Sequence, residues 1–191
     1  MTQILRPALT LFILISLVTG LFYPLAVTSL AQRLFPQEAA GSILSRDGKE
    51  VGSSLIGQNF TGPKYFWGRP SATTPMPYNA AASGGSNQGP LNPALTDSIK
   101  TRIAALRAAD PSNTAAVPVD LVTASASGLD PHISPAAAIY QAARVAKVRG
   151  MPLQTVLTTI TKHTEQPLWG IIGEARVHVL QLNLEDRKSV V

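Results

Sequence analysis

Ser83-Gly84-Gly85-Ser86-Asn87 is the polar cluster whose residue types and spacing point most directly to chemistry. Successive backbone N–H groups around paired glycines can form a nest that holds a nucleotide phosphate or another anion. The same five residues also suit a glycine-permissive turn beside a helix start. Other constellations fail on spacing. There is no G-x-x-x-x-G-K-S/T phosphate loop, no G-x-G-x-x-G opening a helix and no H-E-x-x-H. His132, His163 and His178 are scattered, with no metal-ligand spacing on one helix face. Asp130-Pro131-His132 lies among serines, but a hydrolase triad needs a presented nucleophile, and no G-x-S-x-G elbow exists. The chain has no cysteine, which excludes disulfides, thiolate metal sites and a cysteine nucleophile. These residues favour binding over catalysis.

The elements that must position such residues are legible in outline. Asp47-Gly48, between Ile43-Leu44 and Val51, is a two-residue hairpin signal. Gly68 to Pro93 is rich in Pro, Gly, Ser and Asn and predicts an ordered, irregular loop. Asn92-Pro93 opens a first helix, whose Leu95, Ile99, Ile103 and Leu106 share one face. Ser134-Pro135 opens a second, with Ile139, Ala142, Ala143 and Ala146 as its expected inner side and Gly150 as its stop. A third runs from Pro152 to about His163. Arg176 to Leu184 alternates like a strand, with a one-residue slip near Val179-Leu180 that predicts a bulge or burial on both faces. Between the first two helices, Val122 to Pro135 carries small residues that either admit a partner's backbone or simply connect. Strands, then helices, then a strand make an α+β domain over residues 36–191.

Ahead of that domain, residues 1–35 read as a membrane anchor. Pro7 to Ala31 carries no charge, with Arg6 before it and Arg33 after. About 25 helical residues at 1.5 Å each span roughly 37 Å, enough for a hydrocarbon core of about 30 Å. The rival is a cleaved signal peptide ending at Ser29-Leu30-Ala31, which would leave a secreted binding protein. Pro7 suits a first helical turn, while Pro24 should kink the helix and Gly20 lets another helix approach. Orientation is weakly specified, because Arg6 opposes Arg33, Arg46 and Lys49. The chain has a net charge of +5, spread along its length, so neither a nucleic-acid stripe nor a polybasic lipid patch is present.

Several longer motifs occur in order: LRPALTLFILISLVTGLFYPL at the start, LIGQNFTGPKYFWGRPSAT from Leu55 and MPYNAAASGGSN from Met76. VPVDLVTASASGLDPHISPAAA from Val117 and RVAKVRGM from Arg144 follow. Together they resemble the KdpC family, the C subunit of the Kdp-type potassium-transporting P-type ATPase, over nearly the whole chain.

That resemblance implies a single-pass subunit of the bacterial inner membrane, N-terminus cytoplasmic and C-terminal domain periplasmic. Its implied partners are a channel-like potassium-binding subunit, a P-type ATPase subunit and membrane lipid. It implies no cofactor of its own, with ATP and potassium handled by the complex. The chain lacks the D-K-T-G-T phosphorylation motif, as expected of a non-catalytic accessory subunit. Two roles follow from the family: a catalytic chaperone raising ATP affinity, with Ser83–Asn87 as nucleotide contact, or a domain covering the potassium entrance. A domain outside the membrane cannot touch cytoplasmic ATP, so an effect on ATP affinity would be allosteric. Under the second role, Gln58, Asn59, Asn79 and Asn87 offer amide oxygens to potassium. Phe60, Arg69 and Tyr78 are candidate partner contacts, since aromatics and arginine dominate interface hot spots. Tyr65, Phe66 and Trp67 share that reading or form a core under the loop. Gly20 and Pro24 are the expected packing points of the span.

Overall fold

The structure, a computed structural model, describes residues 2–186 and divides into two compact units, residues 1–51 and 52–191. The first unit begins with an uninterrupted apolar helical run, Gln3–Leu34, of 32 residues, long and apolar enough to cross a membrane. It consists of α1 (Thr2–Leu17), a π-helical turn (Val18–Phe22) and α2 (Tyr23–Leu34). The irregularity expected at Pro24 lies one turn ahead of it. Pro24 has no N–H for the Gly20 carbonyl and its ring crowds that group. The helix widens instead, and the Tyr23 N–H reaches back five residues to the Val18 carbonyl. Gly20 sits in this turn, with open space where a Cβ would be. A short α3 (Pro36–Ala39) follows, then β1 (Ile43–Arg46) and β2 (Lys49–Ser53) pair through Asp47-Gly48. Both turn residues have positive φ, +52° and +74°, as a tight hairpin requires.

The second unit is built on α4 (Pro93–Ala109), β3 (His132–Ile133), α5 (Pro135–Arg149), α6 (Leu153–Lys162), β4 (Thr164–Glu165), β5 (Arg176–His178) and α7 (Val179–Asp186). The strands form one small antiparallel sheet in the order β3-β5-β4, with His132 opposite His178 and Thr164 opposite Val177. The expected α+β architecture is observed. Helix boundaries follow the caps: the Asn92 side chain accepts from the Ala94 N–H, the Ser134 hydroxyl accepts from the Ala137 N–H, and left-handed Gly150 closes α5.

Two expectations need correction. The stretch Arg176–Leu184 is not one strand: it is strand to His178 and helix from Val179. The one-residue slip in its hydrophobic pattern marks that change of period, not a bulge. Leu180, Leu182 and Leu184 are good helix formers, and Val179, Leu180 and Leu182 are buried. On α5, Ile139 is 55% exposed, and Ala143 is also exposed. Ala142 and Ala146 are buried as expected, and Ala138, Gln141, Arg144 and Val145 take the rest of the buried face. It is rotated because α5 buries two polar side chains that have backbone partners elsewhere.

Candidate functional site

The segment Pro63–Trp67 is irregular backbone that lays Phe66 into the core, so the peptide groups buried with it need partners. Buried side chains of two helices supply them. The Asn183 amide accepts from the Phe66 N–H at 2.8 Å and donates to the Phe66 carbonyl at 3.0 Å. Gln141 does the same for Trp67, at 2.8 Å and 3.1 Å. Arg144 donates to the carbonyls of Pro63 and Tyr65 and to the Gln141 side chain, and its guanidinium lies 4.5 Å from the Trp67 ring centroid. Burial pushes the Arg144 pKa down to about 10, against a smaller opposing pull from Asp110. It remains a cation at neutral pH. Fixed in this way, Phe66 points inward, 1% exposed, and Trp67 is set at the edge of the core.

Past Trp67 the chain turns outward. Arg69 pairs with Asp130 at 3.1 Å and reaches the Ala124 carbonyl at 3.4 Å. Burial opposes charge on Asp130, but hydrogen bonds from the His132 side chain and backbone and from Arg69 hold its carboxyl down at about 2. Tyr78, at φ +59°, folds back so that its hydroxyl donates to the Arg69 carbonyl at 2.6 Å. Burial, then Asp130, raises the Tyr78 pKa to about 12, and Arg69 offsets part of this. Gly57 is needed beneath this ring. A Cβ there would lie 2.3 Å from the Tyr78 ring and 2.8 Å from the Asp130 carbonyl.

These contacts create a groove of about 410 Å³. Gln58, Asn59, Phe60, Arg69 and Tyr78 all line it, together with Trp67, Arg102 and Leu106. Five of the seven residues named as amide-oxygen or partner candidates therefore converge on one concave surface. Asn87 does not line it, and Asn79 lies apart. Its carbonyl oxygen caps a 3-10 turn at Ala81, and its NH₂ is held by the Thr74 carbonyl.

Two polar groups of the Ser83–Asn87 cluster are used within the chain. The Gly84 N–H and the Ser83 hydroxyl both donate to the Ser127 carbonyl, at 2.9 Å and 3.0 Å. Neither glycine adopts positive φ, whereas Asn87 does, at +51°, and Gly85 lies against the Ala126 backbone. The small residues of Val122–Pro135 serve this same packing. A Cβ at Gly128 would meet the Thr73 side chain at 2.5 Å and the Gly84 carbonyl at 2.8 Å. The close approach is made by the chain's own loop. Among the described residues, no group of three His, Asp or Glu side chains is placed to hold a metal ion.

His132, His178 and Asp130 do come together at the sheet edge. The two rings meet edge to face, with centroids 5.2 Å apart, and His132 Nδ1 lies 3.4 Å from the Asp130 carboxylate. His178 Nδ1 accepts from the Gln181 N–H, so its Nε2 carries the proton donated to the Ser54 carbonyl at 2.8 Å. Burial lowers the His178 pKa, consistent with a neutral ring. Through these contacts the arrangement fastens β3 and β5 to the loops.

Residues 5–187 match the family described as KdpC: K+-transporting ATPase, c chain. The chain belongs to the KdpC family. It is 73% identical to the potassium-transporting ATPase KdpC subunit of Polaromonas naphthalenivorans (strain CJ2), over 96% of this chain and 94% of that protein. The KdpC subunit of Variovorax paradoxus (strain S110) is 68% identical over 96% and 95%, and that of Dechloromonas aromatica (strain RCB) 62% over 96% of each. The KdpC match begins within the apolar helix, so helix and domain are both part of what this family shares.

Residue patterns pointed to the groove but missed what holds it. Gln141 looks like an ordinary helix polar residue, Asn183 like the polar phase of a strand, and Arg144 like a surface charge. The available signal was their place between apolar neighbours, in AIYQAARVA and VLQLNL.

Proposed function

We propose that this chain is a membrane-anchored accessory subunit of a potassium-transporting ATPase, docking on the potassium-binding subunit through the Gln58–Tyr78 groove. The observation that carries this reading is the convergence of five independently chosen residues on that one surface. Asn59 is exposed at the groove and offers an amide oxygen, while Phe60, Trp67 and Tyr78 supply aromatic walls. A groove of this composition suits a protein loop, with arginine and aromatics as anchors. In this reading the 32-residue helix is retained as the anchor, the N-terminus is cytoplasmic and the domain covers the ion entrance from outside. The subunit then needs no catalysis of its own. ATP belongs to the ATPase subunit, and any effect on ATP affinity passes through subunit contacts as a coupling free energy.

The test is the assembled pump carrying Asn59→Ala or Phe60→Ala, with ATPase activity titrated separately against potassium and ATP. A raised half-saturating potassium concentration or weakened assembly, at unchanged apparent ATP affinity, is expected. A change in ATP affinity alone, with assembly and potassium dependence intact, would overturn the reading.

A further inference from the structure

Between β4 and β5, residues 167–173 form a tight hairpin that none of the contacts above uses. Leu168 and Ile172 bridge, the Leu168 N–H donating to the Ile172 carbonyl at 2.9 Å and the Ile172 N–H to the Leu168 carbonyl at 3.0 Å. The loop between them presents apolar side chains to solvent: Trp169 is 80% exposed and Ile171 82%. Leu168 and Ile172 add to the same patch at 58% and 54%. Burying so much apolar surface elsewhere would be favourable, and contiguous exposed patches of this kind mark interaction sites.

The backbone adds an independent sign. Trp169 and Gly170 both have positive φ, +55° and +75°. Asn-Gly is the pair that such a turn prefers, and a bulky aromatic in left-handed conformation is an outlier. Local preference has been overridden to hold an indole at the tip of the turn. Strain of this kind is maintained where a side chain has work to do outside its own fold.

Charge selects the occupant. From Thr164 to Arg176 the charged residues are Glu165, Glu174 and Arg176, and Arg176 is held by Glu165 in an ion pair at 2.8 Å. A segment that lies on a bilayer surface is flanked by cations that attract anionic lipid, whereas the cation at this hairpin's base is committed to Glu165 and Glu174 adds a negative charge. Glu174, Ala175 and Arg176, at the hairpin base, also wall a polar cleft with Asp130 and His132. An apolar knob of fixed shape with a polar rim is the anatomy of a protein interface.

We infer that the Leu168–Ile172 hairpin is a docking knob that inserts Trp169 and Ile171 into an apolar pocket on another subunit of the same transport complex. The inference rests on the accessory-subunit reading above and adds a second contact, outside the groove.

The discriminating variant is Trp169→Asn in the full tagged chain, with Ile171→Ser as a second. A residue with only a structural role would destabilise the domain on removal. Asn fits the left-handed position better than Trp, so the thermal midpoint should hold or rise. Recovery of the other Kdp subunits from detergent-solubilised membranes should meanwhile fall about tenfold, as for an interface hot spot. Undiminished recovery with both variants overturns the knob while leaving the groove reading intact. Failure of the unmodified chain to recover those subunits overturns both. Because the chain has no cysteine, Trp169→Cys also gives one site for a benzophenone label. A photo-adduct identified as a Kdp subunit supports the knob, and adducts confined to lipid overturn it.

Discussion

Asn183 and Phe66 lie 117 residues apart, and the side chain of the first satisfies both backbone polar groups of the second. Gln141 repeats the arrangement on Trp67, so two buried amides act in place of a neighbouring strand. The segment that leads into the groove is fixed by side chains of α5 and α7, not by the sheet. Asn183→Leu would leave a buried N–H and a buried C=O unpaired, each costing about 1–3 kcal/mol. We expect roughly 2–4 kcal/mol of lost stability, seen as a lowered denaturation midpoint, together with loss of groove-dependent assembly.

Acid should loosen the domain in two steps. His178 is neutral when folded and its pKa is lowered, chiefly by burial. Its contribution is therefore complete above the ordinary value of 6.5 and declines as pH falls below it. Asp130 has a carboxyl depressed from 3.8 to about 2, so its contribution is present above 3.8 and is lost as pH falls toward 2. Allowing for its partial exposure, the second step is worth about 1–2 kcal/mol. Thermal midpoints measured from pH 8 to pH 2 should show both declines. His178→Gln should reduce the first and Asp130→Asn the second, with His163, lowered by burial, and Glu165, lowered by its Arg176 hydrogen bond, supplying the remainder.

The glycines divide sharply. Gly57→Ala would drive a methyl into the Tyr78 ring and the Asp130 carbonyl, whereas Gly84 has open space at the corresponding position. We expect Gly57→Ala to cost about 1–3 kcal/mol by overpacking and to displace Tyr78 from the groove. Gly84→Ala should leave both stability and assembly unchanged. Tyr fluorescence and unfolding curves of the two variants would check this.

In the apolar helix, Pro24→Ala restores a donor for the Gly20 carbonyl. The π-helical turn at Val18–Phe22 should then revert to regular α-helix, rotating Thr2–Leu17 against Tyr23–Leu34. Distances between spin labels placed on the two segments in lipid nanodiscs should change with the substitution. Unchanged distances would show that the turn has a cause other than Pro24.

What the sequence made legible was local. Caps at Asn92 and Ser134, the stop at Gly150 and the Asp47-Gly48 turn all act within a few residues, and each appears where its chemistry puts it. Apolar periodicity located Ile99, Ile103 and Leu106 on the buried side of α4. Two failures share one cause. The burial of Gln141 and Arg144 on α5, and the change to helix at Val179, both depend on partners 74 to 117 residues away. Hydrophobic pattern carries no record of which backbone a buried amide will serve. Nor does the sequence of Ser83–Asn87 reveal that the Ser127 carbonyl, far along the chain, takes the Gly84 N–H. Groove residues were found because large aromatics, arginine and amides are recognisable types whatever the distance between them.

The most direct measurement is the composition and intact mass of what a C-terminally tagged chain brings out of native membranes. The account predicts an unprocessed chain in stoichiometric complex with the potassium-binding and ATPase subunits, with that association weakened by Phe60→Ala. A chain shortened by the apolar helix and recovered alone would contradict it.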